Sequence, residues 1–332
     1  MPDATIRDVA RQAAVSVASV SRALNGHSNV HPDTRARVVA AAKSLGYVPH
    51  AGARSLSMAR TNAIGVVLPD LHGEFFSEMV RGIDSETGTR GYHLLFASTH
   101  ADIDLAGQAM RSLRGRVDGL IVMAPQLDAD DLEAMLPGGI PTILVNAPEG
   151  SGHAVVGVDN RAGVEAMVAH LLAGGRRALV HVTGPAGNLD ARERYEGFVA
   201  AMAARAPGAP VRVIEGDFSE AAGERAVARL LDEGVRFDAI LAANDMMALG
   251  ALQALRAAGI AVPDAVAVAG FDDIPLARFL ALTTMRVRVA DLGARAVSRL
   301  FDAFGEAAAP TGFERFTPEL VVRATTAGDA RA

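Results

Sequence analysis

The stretch Thr5–Asn25, TIRDVARQAAVSVASVSRALN, holds two short amphipathic segments separated by a tight break. In the first, Ile6, Val9, Ala10 and Ala13 recur at helical spacing, with Thr5 placed to cap and Asp8 three residues on, an arrangement like a capping box. In the second, Ser16 is placed to cap a helix whose inward face reads Ala18, Val20 in part, Ala23 and Leu24. That leaves Val17, Ser19, Ser21 and Arg22 facing outward. Short hydroxyls, a small apolar residue and one Arg suit a helix lying in a DNA major groove, where hydroxyls meet phosphates and Arg reaches guanine. The same spacing fits a helical hairpin packed on the rest of the chain, and spacing alone does not separate the two.

Outward from this stretch, a loop over Asn25–Val30 leads into HPDTRARVVAAAKSLGY. Pro32 fits a first helical position, Asp33 favours a helix N-terminus, Val38, Ala42 and Leu45 form a buried stripe, and Gly46 ends the helix. Residues 49–60, PHAGARSLSMAR, offer one or two turns that are barely helical in isolation, and Gly52 weakens them by roughly 1 kcal/mol. A plain linker satisfies this composition. So does a minor-groove wedge, since Leu56 is an apolar side chain with no evident core to join, flanked by Arg54 and Arg60.

From Thr61 short apolar runs alternate with amphipathic helices. AIGVVLPD, YHLLFAST, VDGLIVMA and IPTILVN read as buried strands; HAVVGVDN then opens a second series with RRALVHVTGP, VRVIEGD, FDAILAAND and AVAVAGFDD. Such alternation predicts parallel sheets covered on both faces, in two Rossmann-like lobes. Ligands in open parallel sheets sit beyond the carboxyl ends of strands. There the first series supplies residues 69–76, PDLHGEFF, and Asn146. The second supplies Asp159, Asn160, the stretch Gly184–Arg194, Asp217, Phe218, Asn244, Asp245 and the run Phe271–Asp273. Planar aromatics beside Asp, Asn and Arg grip a polyhydroxylated ring, stacking on its apolar faces and pairing with its hydroxyls. Each Phe also suits ordinary core packing, and Asp245 suits a helix N-cap.

The chain of 332 residues is half apolar, enough for two or three cores, and has no cysteine for disulfides or thiolate metal sites. No run approaches a membrane span, and MPDATIRD lacks the apolar core of a signal peptide, so a soluble, cytoplasmic protein is expected. The net charge of −6 is unevenly spread. Residues 1–60 hold eight of the 32 basic and three of the 38 acidic residues, leaving +5 there and −11 on the remainder. A small basic module on an acidic body is the asymmetry expected when only one end meets phosphate. Patterns for serine hydrolases, zinc hydrolases, P-loops and dinucleotide sites are absent and the nine His form no metal spacing, so no enzyme, cofactor or metal is expected.

The segments TIRDVARQAAVSVASVSRALNG, the Pro32–Tyr47 helix and YVPHAGARSL run on without a gap, and together they resemble the DNA-binding headpiece of the lactose-repressor (LacI/GalR) family. The family's VS-x-x-TVSR is present as VSVASVSR, and its closing Y-x-P-N as YVPH. RVDGLIV, HLLAGGRR, GDF, AANDMMALGAL, VAGFDD and LTTMRV extend the resemblance to the family's effector domain over residues 62–326. The fold it implies is a small all-α helix-turn-helix headpiece plus an α/β periplasmic-binding-protein-like body of two Rossmann-like lobes with parallel sheets. The expected boundaries are a headpiece at 1–48, a hinge helix at 49–61, an effector-binding and dimerisation domain at 62–326 and a tail at 327–332. The N-lobe takes about 62–159 and 287–316, and the C-lobe about 160–286 and 317–326.

The resemblance further implies a repressor that binds a near-palindromic operator in double-stranded DNA as a homodimer. Its DNA contacts would come from Thr5, Ser16, Val17, Ala18, Ser21, Arg22 and Asn25, with Arg54 and Leu56 from the hinge. The small-molecule effector between the lobes would be a carbohydrate, with a purine-type corepressor as the alternative. Phe75, Phe76, Arg194, Phe218, Asn244 and Asp272 match pocket positions, with Asn146 and Asp159 in a second tier. A sugar-binding protein without a DNA role would need a signal peptide and no headpiece, and neither condition is met. The helices Met79–Arg90 and Leu105–Arg116 are candidate dimer surfaces, although their apolar stripes equally suit the sheets. The chain departs from the pattern at Ala14, where Gly is usual at the turn, at His31 and His50, and at HGEFF in place of NPFF.

Overall fold

The structure is a computed structural model describing residues 4–25, 27–48, 60–71, 73–304 and 311–327. The hinge candidates Arg54 and Leu56, and the departures His50 and His72, lie outside the described residues. The chain divides into two compact units, residues 1–63 with 116–118, and residues 64–115 with 119–332.

The first unit contains α1 (Ile6–Ala13), α2 (Val17–Leu24) and α3 (Pro32–Ser44) around a core of Val9, Ala10, Ala13, Val20, Ala23, Val38, Ala41 and Ala42. The Asp8 carboxylate accepts from the Thr5 backbone N–H at 3.0 Å and hydroxyl at 2.6 Å, closing the capping box on α1. Ser16 Oγ accepts from the Ser19 N–H at 3.1 Å and starts α2. His31 takes the N-cap of α3, its Nδ1 accepting from the Asp33 N–H at 3.3 Å. The phase of α2 differs from the sequence reading. Ala18 is exposed, whereas Val20 is fully buried, so the inward face runs through Val20 and Ala23 with Leu24 partly covered. Ala is apolar enough for either face, and the β-branched Val claims the core. Arg35 ties the end of α2 to the following loop, donating to Ala23 O at 2.7 Å and His27 O at 2.5 Å. Within this unit the Asp118 carboxylate also accepts from Thr61 N–H, Thr61 hydroxyl and Asn62 N–H at 2.7, 2.8 and 2.9 Å.

The second unit carries two six-stranded sheets. The first orders its strands β11-β5-β4-β3-β1-β2, from β1 (Ala63–Leu68), β2 (His93–Ser98), β3 (Gly119–Met123), β4 (Thr142–Val145), β5 (Ala154–Val158) and β11 (Phe313–Phe316). The second runs β12-β10-β9-β8-β6-β7, from β6 (Leu179–Thr183), β7 (Arg212–Glu215), β8 (Ala239–Ala242), β9 (Ala267–Asp272), β10 (Thr283–Arg286) and β12 (Glu319–Val321). Pairing is parallel from β1 through β3, β4 and β5 to β11, and from β7 through β6, β8 and β9 to β10; β12 runs antiparallel, against β10. The central strands are continuous apolar runs because helices cover both sheet faces. Val66, Ile121, Ile143 and Val156 are fully buried in the first sheet, as are Val180, Val182, Ile240 and Val268 in the second.

The helices between strands are α4 (Glu74–Thr89), α5 (Ile103–Leu113), α6 (Ala129–Met135), α7 (Asn160–Ala173), α8 (Leu189–Arg205), α9 (Glu220–Asp232), α10 (Asp245–Ala257), α11 (Pro275–Phe279) and α12 (Val289–Asp302). The chain passes between the sheets three times, after β5, after β10 and after β11. The second passage brings α12 against α4 so closely that a Cβ on Gly82 would stand 1.9 Å from the Ala290 carbonyl oxygen. The apolar stripe of α4, Met79 and Ile83, is therefore buried inside the unit. Ile103 and Leu105 on α5 remain exposed, as do Leu95 and Phe96 on the edge strand β2. No helix among the described residues is long and apolar enough to cross a membrane.

Candidate functional site

Two sites follow from this architecture, one in each unit. In the first, α2 presents Val17, Ala18 and Arg22 on its exposed side, with Ser19 and Ser21 half-buried at its margins. The Arg22 Nε–H donates to Ala18 O at 3.3 Å, folding the guanidinium along the helix, and Asn25 Nδ2 donates to Ser21 Oγ at 3.4 Å. Ser16 is occupied with the cap and with the Ser19 hydroxyl at 2.9 Å. Thr5 is held in the capping box, where it positions α1.

In the second unit a small cleft opens where the carboxyl ends of the two sheets face each other. The N-lobe supplies Pro69, Phe75, Phe76, Met123 and Pro125; the C-lobe supplies Asn188, Asp190, Arg194, Phe218, Asn244 and Asp272. The Phe75 and Phe76 rings, in the first turn of α4, meet edge to face at 5.3 Å and 86° and are only half-buried. Phe218 follows β7 in a left-handed conformation, φ 69°, which is uncommon for a bulky residue and marks strain. Its ring lies where a side chain on residue 184 would be: a Cβ on Gly184 would come within 2.3 Å of it. Asn244 holds this conformation. Its Oδ1 caps α10 through the Met247 N–H at 2.9 Å and its Nδ2 donates to Phe218 O at 3.0 Å.

Arg194 is the hub of a buried network. Its Nε–H donates to Asn160 Oδ1 at 2.8 Å, one terminal nitrogen donates to Ala243 O, and the other lies 3.4 Å from Asp272 Oδ1. The guanidinium stands 3.8 Å over the Phe271 ring, a cation–π contact. Asn160 Nδ2 donates to Asp190 at 2.9 Å and to Glu193 at 2.8 Å. Asn146, from the N-lobe, donates to the other Asp190 oxygen at 3.1 Å. Burial pushes the Asp272 carboxyl up to about 7 even though Arg194 pulls it down. Asp245 is raised well above the usual carboxylate range, first by burial and then by Asp272. Beneath, His181 is fully buried, its Nδ1 2.8 Å from Leu241 O and its ring stacked on Phe198; desolvation pushes it down to about 4.

Six of the eight pocket candidates, Phe75, Phe76, Arg194, Phe218, Asn244 and Asp272, thus line one cleft. Asp159 does not line it; its Oδ1 caps α7 through the Ala162 N–H at 3.1 Å. Asn146 stands behind the lining and acts on it through Asp190. Asp245 is not the N-cap of α10, a place Asn244 takes. Instead its carboxylate accepts from the Thr284 hydroxyl at 2.6 Å and the Ile274 N–H at 2.9 Å, pinning the loop beyond Asp272. Glu74 does not point at a ligand either; it accepts from the Leu276 N–H of the opposite lobe at 3.0 Å. Asn188 and Asp190 fall inside the stretch Gly184–Arg194 that the sequence places at a strand end, but nothing there singles them out beyond their place at the start of the helix following β6.

A capped helix-turn-helix unit and a two-lobed body with a polar and aromatic cleft in one chain define the class: a ligand-responsive regulator with a nucleic-acid-binding headpiece. Residues 5–50 match the bacterial regulatory proteins of the lacI family, and residues 168–326 match the periplasmic binding protein-like domain. The chain is 32% identical to the ribose operon repressor of Halalkalibacterium halodurans over 98% of its own length and 97% of that protein's. It is 33% identical to the HTH-type transcriptional repressor PurR of Haemophilus influenzae, covering 96% and 98% of the two chains. Among solved structures, the lac repressor dimer bound to operator and the anti-inducer ONPF superposes with a TM-score of 0.88 at 30% identity, over 97% of this chain and 99% of that one. The chain belongs to the LacI family and is a DNA-binding transcriptional repressor, not an enzyme.

Proposed function

We propose that this repressor binds a near-palindromic operator as a homodimer and is controlled by a carbohydrate held between its lobes. Val17, Ala18 and Arg22 face bases, while Ser16, Ser21 and Asn25 lie nearer phosphates and Thr5 orients α1. Arg54 and Leu56 serve the minor groove between half-sites. The solved lac repressor is a dimer on its operator, and this chain shares its fold along nearly the whole length. Exposed Leu95, Phe96, Ile103 and Leu105 supply an apolar surface for the second copy.

The observation that carries the carbohydrate reading is the pairing of Phe75, Phe76 and Phe218 with the acceptor carboxylates Asp190 and Asp272 in one cleft. Aromatic planes take the bare C–H faces of a sugar ring and the carboxylates take its hydroxyls. A purine corepressor is the second reading, favoured by the equal similarity to a PurR protein. Selection of duplexes from a randomised pool by the full-length protein tests the DNA half, and enrichment of a near-palindrome is expected. Adding monosaccharides and then hypoxanthine or guanine to the complex tests the effector half. A purine that tightens binding, with sugars inert, overturns the carbohydrate reading.

A further inference from the structure

We propose that Asp118 is a positioning residue for operator binding: it fixes the backbone where the 49–60 segment ends and so sets the half-site spacing that the repressor accepts. The proposal rests on the reading of two copies on a near-palindromic operator and adds to it the residue that holds the geometry.

The Asp118 carboxylate spends both oxygens on one short stretch of chain. Its Oδ1 accepts from the Thr61 N–H at 2.7 Å and the Thr61 hydroxyl at 2.8 Å, and its Oδ2 accepts from the Asn62 N–H at 2.9 Å. The Asp118 N–H in turn donates to Ala63 O at 2.8 Å, and the Ala63 N–H donates to the Thr61 hydroxyl oxygen at 3.3 Å. Bonds to a charged oxygen are roughly twice as strong as neutral ones. Asn62 turns the chain within this grip, at φ 51°, a left-handed conformation that Asn tolerates better than most residues. Residues 116–118 accordingly share a compact unit with residues 1–63 and not with the chain on either side of them.

The frame that carries this clamp is stiff. Ala63 opens β1 and Asp118 directly precedes β3, two neighbouring parallel strands paired from Ile64 and Gly119 onward. Ile64, Val66, Val67, Leu120, Ile121 and Val122 are fully buried. Gly119 is packed so closely that a Cβ there would stand 2.9 Å from the Leu300 side chain of α12. Residue 61 therefore starts from one direction and not from many. Direction matters because, once one headpiece is bound, the second meets its half-site at an effective concentration set by how narrowly the connecting segment is aimed. A fixed start concentrates the second headpiece at one spacing, and a free start spreads it over several.

Operators from the duplex selection test this when rebuilt with two base pairs inserted between half-sites, which turns one half-site by roughly 70° relative to the other. The full-length native protein, Asp118→Ala and Asp118→Asn are titrated on the selected duplex, the lengthened duplex and a single half-site. The native protein is expected to prefer the selected spacing by ~100-fold or more, and that preference should fall at least ~10-fold in Asp118→Ala. Asp118→Asn keeps one accepting oxygen but turns an amide NH2 toward a backbone N–H, so its preference should lie between the two. The single half-site should bind all three proteins alike, which a general loosening of the fold would not allow. A native spacing preference retained in Asp118→Ala overturns the proposal, as does a loss of equal size on all three duplexes. If the alanine variant does not fold, the asparagine variant decides on the same two criteria. A native protein indifferent to spacing overturns the two-copy reading itself, and the proposal with it.

Discussion

A terminal nitrogen of Arg194 lies 3.4 Å from Asp272 Oδ1, with the two side chains only 4% and 5% exposed. The distance is long for an ion pair in so dry a place, and it fits a carboxyl that burial has raised to about 7. Arg194 is therefore held as much by Asn160, Ala243 O and the Phe271 face as by charge. Deleting it strands Asp190, Asp272 and Glu193 together. Arg194→Ala is expected to cost about 3–5 kcal/mol in urea denaturation, and a loss under ~1 kcal/mol would show that the network is not a unit.

Asp272 gives a pH signature. A carboxyl with a folded value of about 7 against 3.8 unfolded keeps its proton longer in the native state, so its contribution to stability is complete in acid and is lost as pH rises through about 4 to 7. Buried His181, pushed down to about 4, slopes the opposite way between about 4 and 6.5, and the two offset in the native protein. Asp272→Asn removes one slope and keeps the other. The stability of this variant relative to the parent should rise from pH 5 to pH 7, by up to ~1.4 kcal/mol per unit, and level off above. A difference that stays constant with pH would place Asp272 in the ordinary carboxylate range.

How far these features were legible varies with how local they are. The parallel strands stand out because burial on both faces writes them as unbroken apolar runs, and Thr5, Asp8 and Ser16 announce their caps within three or four residues. The rotation of α2 is not legible at Ala18, since alanine carries too weak a preference to set helix phase. Asn244 and Asp245 are adjacent and each can cap. Which one does depends on where β8 lets go of the chain, and what the other grips, Thr284 and Ile274, lies 29 to 39 residues away. The Asn146–Asp190–Asn160 links span 30 to 44 residues for the same reason. Aromatic and polar residues after strands can be read as a cluster, but the hydrogen bonds that distribute their roles belong to the folded chain.

Glu74 ties the lobes together across the cleft, its Oε2 accepting from the Leu276 N–H at 3.0 Å. One such bond is worth about 1 kcal/mol, roughly a fivefold change in a two-state balance. Glu74→Ala is expected to speed hydrogen exchange at the Leu276 amide by about that factor in the ligand-free protein, and Glu74→Gln to restore most of the protection. Unchanged exchange in the alanine variant would show that closure is set elsewhere, through Leu189 N–H to Pro125 O or Asn146 to Asp190.

Ala14 closes α1 with φ 52° and ψ 47°, a left-handed residue carrying a Cβ. Glycine adopts that conformation without the steric penalty of roughly 1–2 kcal/mol, offset in part by its greater freedom when unfolded. Ala14→Gly should stabilise the first unit by about 0.5–1 kcal/mol, read as slower amide exchange in α1 to α3 with the second unit unaffected. A destabilised headpiece would mean that packing of the Ala14 methyl outweighs the backbone strain.

Arg22 and Ser16 separate base reading from phosphate positioning. Arg22 is exposed on the same face as Val17 and Ala18, while Ser16 sits at the N-cap where backbone N–H groups gather. A side chain reading a base edge contributes about 1–3 kcal/mol of discrimination, whereas a phosphate contact weakens all sequences alike. With operator variants from the duplex selection, Arg22→Ala is expected to flatten the preference at one base pair per half-site. Ser16→Ala, which also loses a cap worth about 1 kcal/mol, should lower affinity uniformly and leave the ranking of sequences intact. If Arg22→Ala lowers affinity uniformly as well, α2 does not place this guanidinium in the groove, and the reading of its exposed face fails.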